Sequence, residues 1–235
     1  HPHGRRPLRR LHLHLDRQWP DLDGADGLRA ALLDADRLIL RRQHSSRGHH
    51  HYEQRRQALR LHGQRRDLGR TLGKATQDWY DIAASTDAQT LVAASYGDQL
   101  YTSSDGGTSW TARESARNWR AVAASADGTR MAAGNNSGYI YTSTDSGATW
   151  TAQTGAGAGT WWSIAASDDG MTLLASNYGG KLYTSGDGGS TWTARDSNRS
   201  WEGVAISADG TRMAAGHYGG YIYTSTDSGV TWTAQ

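Results

Sequence analysis

Four tryptophans in the C-terminal two thirds of the chain, Trp110, Trp150, Trp192 and Trp232, recur at nearly constant spacing. Each ends an eight-residue phrase, which reads SSDGGTSW, STDSGATW, SGDGGSTW and STDSGVTW in chain order. A repeat of about 40 residues is typical of stacked supersecondary units, and this length favours the four-stranded blades of a propeller.

The turn signals inside one repeat predict four short strands. In the unit that begins at Trp119, the alternating segment WRAVAAS is followed by Asp127-Gly128, a pair predicted to supply the positive φ angles of a two-residue hairpin turn. The turn cluster NNSG then separates RMAAG from GYIYTS, and TWTA completes the unit. The pattern predicts an all-β chain of antiparallel meanders.

The eight-residue phrase predicts a compact loop with a structural role. Asp145 is placed to accept hydrogen bonds from the backbone of its own turn, Gly147 to adopt a positive φ, and Trp150 to bury its ring in the blade. The same roles are predicted for Asp105, Trp110, Asp145, Trp150, Asp187, Trp192, Asp227 and Trp232. The rings are expected to lie between sheets that are set radially about an axis.

These phrases resemble the motif of the Asp-box, or BNR-repeat, β-propellers. All four match it at every defined position, with Ser109 in place of Thr in the first. The resemblance covers 79–235. Within this class, the chain is similar to photosystem-stability-factor-like and sialidase-like propellers. It implies four blades at about 79–118, 119–160, 161–200 and 201–235, within a propeller region 76–235. In that class the motif is a structural hairpin away from the ligand.

A longer repeat underlies the short one. The interval from Trp110 to Trp192 equals the interval from Trp150 to Trp232. The second and fourth units, counted from Trp119 and Trp201, differ at only 7 of 35 positions. A block of two blades, here called the two-blade block, was therefore duplicated.

The first part of the chain has a different composition. Residues 1–78 carry 17 Lys and Arg against 9 Asp and Glu, whereas residues 79–235 carry 8 against 14. Nine of the ten histidines lie in the first part and nine of the ten tryptophans in the second. The overall net charge of +2 thus combines a basic Arg- and His-rich arm, 1–75, with a mildly acidic domain. The arm is expected to be largely irregular or weakly helical and not a propeller.

Three interpretations of the arm remain open. Its arginine pairs could contact nucleic acid phosphates, although we consider this partner unlikely, and its histidine run could bind a metal. We favour a frame-shift: with GC-rich codons, HLHLDRQWPDLD becomes TSTSTGSGRTWT after one nucleotide is dropped. The hidden Trp at Leu68 would then precede Trp150 by the same interval as Trp150 precedes Trp232. Sequencing the gene tests this hypothesis.

The turns between second and third strands are expected to share one face with the links between blades. Tyrosine, asparagine and arginine side chains on this face suit recognition of a glycan or a protein loop. The candidate ligand-binding residues are Tyr96, Asp98, Arg117, Asn118, Asn135, Asn136, Asn177, Tyr178, Arg195, Asn198, Arg199, His217 and Tyr218. The competing interpretation is that these residues simply form good turns.

The sequence offers no clear catalytic constellation. A glycosidase needs paired carboxylates at a defined separation, and the candidates on this face, Asp98, Glu114, Asp196 and Glu202, are scattered among turns. The Arg-Ile-Pro motif typical of sialidases is missing, and no cofactor or metal motif is found. We therefore predict a non-catalytic recognition or scaffold propeller, with a glycoside hydrolase fragment as the alternative.

Compartment and completeness are weakly constrained. The chain contains no Cys and no apolar run long enough to span a membrane. No signal peptide is visible and the chain begins at His1, so we expect a fragment. The family resemblance favours an extracellular or cell-surface location. Strand edges of an open propeller are expected to invite association.

Overall fold

The computed structural model describes residues 78–235, which form antiparallel sheets with almost no helix. The predicted arm and the frame-shift hypothesis lie outside these residues. The strands are β1 (Trp79–Ala84), β2 (Leu91–Ser103), β3 (Thr111–Ala124), β4 (Met131–Asn135), β5 (Ile140–Ser143), β6 (Thr151–Gln153), β7 (Trp161–Ala166), β8 (Leu173–Asn177), β9 (Leu182–Ser185), β10 (Thr193–Arg195), β11 (Trp201–Ile206), β12 (Met213–His217), β13 (Ile222–Ser225) and β14 (Thr233–Ala234). A 3-10 helix, Thr154–Ala156, follows β6. In this part of the chain no helix has the length and hydrophobicity needed to cross a membrane.

The sheets repeat one meander four times, as the sequence predicts for a propeller. Strands β7 to β10 form one four-stranded sheet and β11 to β14 another. Strands β1 to β6 form a six-stranded sheet because β2 and β3 are long and each supplies two successive strands of the meanders. The start of β2 pairs with β1 and its end with the start of β3, whose second half pairs with β4. We refer to the four successive meanders as units one to four.

The first loop of each unit differs from the predicted two-residue hairpin turn. The last strand pair before it is Ala124 with Met131, so six residues form the loop. Ser125 organises it: its hydroxyl donates to Asp127 and accepts from the Arg130 N–H at 3.0 Å. Only Gly128 of the predicted pair has a positive φ, +72°. The prediction failed because it ignored the serine two residues before the aspartate.

The loop that carries the eight-residue phrase, here called the Trp loop, closes as predicted. The Thr149 N–H donates to Asp145 Oδ1 at 2.9 Å and the Thr149 hydroxyl to Oδ2 at 2.6 Å. Ser143 donates to Asp145 Oδ1 at 2.8 Å and accepts from the Gly147 N–H. Hydrogen bonds from Thr149 and Ser143 lower the pKa of Asp145 from 3.8 to about 2. Equivalent contacts recur in the other three Trp loops.

The most deeply buried tryptophans are not those of the Trp loops. Trp119, Trp161 and Trp201, which open units two to four, are completely buried. Trp150 and Trp192 are only half-buried, at the edges of the core clusters. The Trp150 indole donates to the Gly147 carbonyl within its own Trp loop. The prediction chose the rings in the repeated phrase, whereas the opening rings are the ones enclosed between two sheets.

The contacts between neighbouring units are of two kinds. Between units one and two, Asp81 Oδ2 accepts from the Val122 N–H at 3.0 Å. Ser163 occupies the corresponding place between units three and four, where its hydroxyl accepts from Val204. The first loops, by contrast, are joined in the same way at every boundary, since the main-chain N–H groups of Thr86, Ala126 and Asp168 donate to the carbonyls of Ala126, Asp168 and Ala208, each at 2.8 Å. The side-chain contacts of Asp81 and Ser163 thus follow the two-blade block, whereas the main-chain bonds follow the single unit.

Candidate recognition site

An open pocket of about 350 Å³ lies among the first strands of the four units. It is lined by Tyr80, Asp81, Arg120, Trp162, Ser163, Glu202 and Gly203. Each unit contributes the residue that directly follows its opening tryptophan, because the tryptophan itself turns into the core. The four units therefore direct a tyrosine, an arginine, a tryptophan and a glutamate into one space.

Arg120 lies between two aromatic rings of this pocket. Its guanidinium carbon is 3.1 Å from the centroid of the Trp162 ring and 4.9 Å from that of Tyr80. Within residues 78–235 the guanidinium forms no hydrogen bond and no ion pair. Cation–π contacts with two rings hold the group in place without using its N–H donors. Those donors remain available to a ligand.

Two further rings extend this arrangement outward. Tyr178 stacks on Trp162 with centroids 4.6 Å apart, and Tyr96 lies 5.3 Å from Tyr80. Tyr178 directly follows β8 and is exposed, whereas Tyr96 lies in the middle of β2, at the place that corresponds to this turn. We call Tyr96, Tyr80, Arg120, Trp162 and Tyr178 the aromatic–arginine row. It joins the predicted turn face to the pocket as one surface of flat rings and hydrogen-bond donors.

The two carboxylates of the pocket have different surroundings. Asp81 accepts from the Ile82 and Val122 main chains, at 2.9 and 3.0 Å, so it has a role in joining units one and two. The Glu202 side chain, by contrast, accepts no hydrogen bond from the described residues, although its backbone carbonyl accepts from Ser176. Glu202 is therefore the carboxylate of the pocket that can serve a ligand most directly.

The pocket follows the duplication with one change of charge. Tyr80 corresponds to Trp162 and Tyr96 to Tyr178, each pair being one two-blade block apart. Arg120 corresponds to Glu202 at the same interval. The duplicated block thus supplies an aromatic pair twice, but a cation once and an anion once.

Tyr80, Asp81, Arg120 and Trp162 were not among the predicted site residues. A signal for three of them was present in the sequence, since Tyr80, Arg120, Trp162 and Glu202 recur at the same spacing as the tryptophans of the Trp loops. Each follows a core tryptophan in an alternating strand, which indicates that it faces away from the core. Of the four residues that follow an opening tryptophan, the sequence indicated only Glu202, as a candidate catalytic carboxylate.

Two predicted arginines contribute to contacts between units. The guanidinium of Arg117 lies 5.0 Å from the centroid of the Tyr141 ring, and 3.8 Å separates it from Glu114. Arg199 repeats this arrangement in the next block, 4.6 Å from the Tyr223 centroid. Both side chains therefore have a structural role between units, and their role in ligand binding stays a prediction.

Most other predicted residues form hydrogen bonds within the propeller. Asp98 accepts from the Gln99 N–H and the Tyr101 hydroxyl, and Asn135 donates to the Tyr139 carbonyl within its own turn.

The remaining predicted residues connect different segments of the chain. Asn136 and Asn177 both accept from Thr160 in the link after β6, and Arg195 donates to the Thr184 hydroxyl on the neighbouring strand. The Asn118 backbone pairs with Tyr96, and Asn198 lies in the last link. These residues shape the turn face, and their contact with a ligand stays a prediction.

His217 and Tyr218 lie in the last unit, away from the aromatic–arginine row. The His217 ring packs against Trp201 and Tyr223, with centroids 5.7 and 5.9 Å away. Tyr218 is 73% exposed and has no ring partner among the described residues. The turn face is thus divided into an ordered aromatic part and a separate exposed part.

Comparison with solved structures supports the fold. The chain is similar to the GH74 enzyme of Niastella koreensis, with a TM-score of 0.54 and 22% identity over 68% of this chain and 24% of that one. It is also similar to YCF48 bound to D1 peptide, with a TM-score of 0.53 and 18% identity over 68% of this chain and 53% of that one. For YCF48 from Cyanidioschyzon merolae, the TM-score is 0.53 and the identity is 17%, over 68% of this chain and 56% of that one. No family model and no curated protein matches the chain.

These similarities define a class of fold. At this level of identity they show a β-propeller scaffold and no particular activity. The chain spans between about a quarter and a little over half of the structures named above.

Proposed function

We propose that the chain is a non-catalytic recognition propeller that binds an extended segment of a protein partner across the aromatic–arginine row. The proposal depends on a single observation, the guanidinium of Arg120 held between Tyr80 and Trp162. Aromatic rings give a binding surface large contact area at low entropic cost, and a fixed guanidinium adds directional donors. The structural similarity to YCF48 bound to D1 peptide supports a peptide-like ligand.

The charges of the pocket favour binding over hydrolysis. Glycoside hydrolysis requires two carboxylates with distinct acid and base roles. Asp81 accepts from the backbone N–H groups of Ile82 on its own strand and of Val122 in the neighbouring unit, which leaves Glu202 as the carboxylate available for such a role. Glu202 instead offers a hydrogen-bond acceptor and Arg120 offers donors. Together they suit a ligand that carries both donor and acceptor groups, as a peptide backbone does.

A glycan is the second candidate ligand. Aromatic rings beside an arginine and a carboxylate also suit the faces and hydroxyls of a sugar. One structural neighbour, the GH74 enzyme of Niastella koreensis, is a glycoside hydrolase. The chain would then be a fragment related to a hydrolase propeller.

Two finer assignments accompany this proposal. The four Trp loops, each closed by its serine and aspartate, support placing the chain among the Asp-box, or BNR-repeat, propellers. The change in composition supports a division into an arm at 1–75 and a propeller region at 76–235.

The full chain should be screened against a peptide library and a glycan array. For any ligand found, we expect Trp162→Leu and Arg120→Gln to weaken binding at least about tenfold, because each removes one layer of the stack. Tyr178→Ala should weaken it less. Arg212→Gln is the matched control, since this exposed arginine belongs to a first loop at the opposite end of the strands.

Circular dichroism must show that each variant keeps its sheet content. Binding that survives both Trp162→Leu and Arg120→Gln would contradict the proposed site. A ligand found only on the glycan array would reject the protein partner in favour of the second candidate.

A further inference from the structure

Tyr178 ends the aromatic–arginine row with one ring face open. Its inner face stacks on the Trp162 ring, with centroids 4.6 Å apart and an angle of 25° between the two planes. Among the described residues no other ring lies against it, and 39% of the residue is exposed. The face that points away from Trp162 is therefore in contact with solvent.

The inner members of the row present their edges and not their faces. Trp162 is covered on one face by the Arg120 guanidinium, 3.1 Å from the ring centroid, and on the other by Tyr178. Arg120 in turn separates Trp162 from Tyr80. At the other end of the row, Tyr96 is half-buried and tilted by 32° against Tyr80. A flat group of a ligand can therefore extend the stack best at the outer face of Tyr178.

The turn that carries Tyr178 is fixed from two sides. The Tyr178 N–H donates to the Thr160 carbonyl at 2.9 Å, in the link before unit three. The Gly179 N–H donates to the Arg199 carbonyl at 3.0 Å, in the link after unit three. A ring whose backbone is held in this way loses little further entropy on binding, which is the property of an anchor residue in a protein interface.

The hydrogen-bonding groups around this face are largely engaged. In the turn itself, the four backbone N–H groups of residues 177–180 all donate to carbonyl oxygens. The Asn177 Oδ1 accepts from the Thr160 N–H, and the Arg199 guanidinium packs on a ring of unit four, 4.6 Å from its centroid. A sugar on Tyr178 would find few partners for its hydroxyls, whereas an aromatic side chain needs none.

We propose that the outer face of Tyr178 is a specificity subsite that takes an aromatic side chain of the protein partner. This side chain stacks on Tyr178 and adds one layer to the row, while the rest of the bound segment crosses Trp162 and Arg120. The inference rests on the proposed function, since it names a residue type that the bound segment must carry. Stacked aromatic pairs contribute more than the area they bury, so Phe, Tyr or Trp is preferred here over an aliphatic residue.

Selection of random linear peptides displayed on phage against the full chain tests the inference. Among peptides that bind the wild-type chain much more tightly than Trp162→Leu, we expect one position to be enriched in aromatic residues. Tyr178→Leu should lose this enrichment because leucine has no ring face, and Tyr178→Phe should retain it. Tyr218→Leu is the matched control, since Tyr218 occupies the corresponding turn of unit four but has no ring partner among the described residues.

A double-mutant cycle with one selected peptide measures the contact directly. Replacing the aromatic residue of the peptide by leucine should weaken binding to the wild-type chain roughly three- to tenfold. The same replacement should leave binding to Tyr178→Leu nearly unchanged. Isothermal titration calorimetry gives the dissociation constants.

Two results would overturn the inference while the proposed function stands. One is a set of peptides that depend on Trp162 but share no aromatic position. The other is an equal loss of affinity in the wild-type chain and in Tyr178→Leu. Failure to select any peptide that depends on Trp162 would contradict the proposed function itself, and this inference with it.

Discussion

The indole nitrogen of Trp161 donates a hydrogen bond to the Gly138 carbonyl oxygen at 2.8 Å, across the boundary between units two and three. The ring is completely buried in a cluster that includes Ile140 from unit two and Ile164 from unit three. One side chain thus contributes both apolar packing and a directional bond to the same boundary. The opening tryptophans are the residues through which one sheet is fixed to the next.

Replacing Trp161 with Ala should destabilise the fold strongly. We expect a loss of about 3–5 kcal/mol in the free energy of unfolding, measured with urea, because the change leaves a large cavity. It also removes one of the two hydrogen bonds that the Gly138 carbonyl accepts, the other coming from the Gly159 N–H. Trp192→Ala is the matched control. This ring is half-buried and its indole nitrogen has no hydrogen-bond partner within residues 78–235, so the loss should be clearly smaller. Equal losses would contradict the assignment of the core to the opening rings.

Gly147 should be sensitive to substitution for two separable reasons. Its φ is +78°, and an added Cβ would lie 2.5 Å from Thr102 Cγ2 in unit one. Gly179 has a φ of +77° with open space around it, so Gly179→Ala should show only the strain, about 1–2 kcal/mol in urea unfolding. Gly147→Ala should cost at least about 1 kcal/mol more. Thr102→Ser, which removes the Cγ2 methyl group, should reduce this excess, and the part that remains is due to Met131 Sδ, which would lie 3.1 Å from the added Cβ.

Stability should fall as the Trp loops are acidified. Hydrogen bonds from the following Thr or Ser and from the preceding Ser lower the pKa of Asp105, Asp145 and Asp227 from 3.8 to about 2. Because the folded-state pKa is the lower one, the stabilisation is complete above about pH 4 and is lost as the pH falls towards 2. Thermal unfolding midpoints across this range measure the effect.

Asp145→Asn provides the control for the pH dependence. It should lower the midpoint at neutral pH and make the decrease between about pH 4 and 2 less steep, since one titrating group is gone. A midpoint that does not change with pH in this window would contradict the role of the carboxylates.

Asp81 should contribute to stability through its long-range bond to the Val122 N–H. Asp81→Ala leaves the inner-strand N–H of Val122 without its acceptor, which we expect to cost about 1–3 kcal/mol in urea unfolding. Asp81→Asn keeps an acceptor oxygen and should recover part of this loss. Ser163→Ala, at the corresponding position, should cost less because its bond to Val204 is longer, at 3.4 Å. If all three variants unfold alike, the bond does not join the units.

Local chemistry was readable from the sequence, and contacts between units were not. The Trp loop could be predicted because Ser143, Asp145 and Thr149 bind one another within a single short stretch of chain. The row around Arg120 could not be predicted, since Tyr80 and Trp162 lie one repeat before it and one repeat after it, in other units. The position after each opening tryptophan could be read as facing away from the core, but not which residues would meet there.

The predicted arginines illustrate the same limit. The sequence placed Arg117 in a link between blades and suggested a ligand contact there, whereas the structure places it within β3. Its partner ring, Tyr141, belongs to β5, two strands further along the chain. Only the register of the strands brings the two together, and that register depends on packing across the boundary between units.

The main-chain bonds between first loops bear on how this propeller can be lengthened or shortened. They run without interruption from Thr86 to Ala208, and because backbone groups make them, they do not depend on the two-blade block to which a unit belongs. An engineered array that loses a single unit should therefore keep this connection. Only the loss of a whole two-blade block should also keep the spacing between the contacts of Asp81 and Ser163.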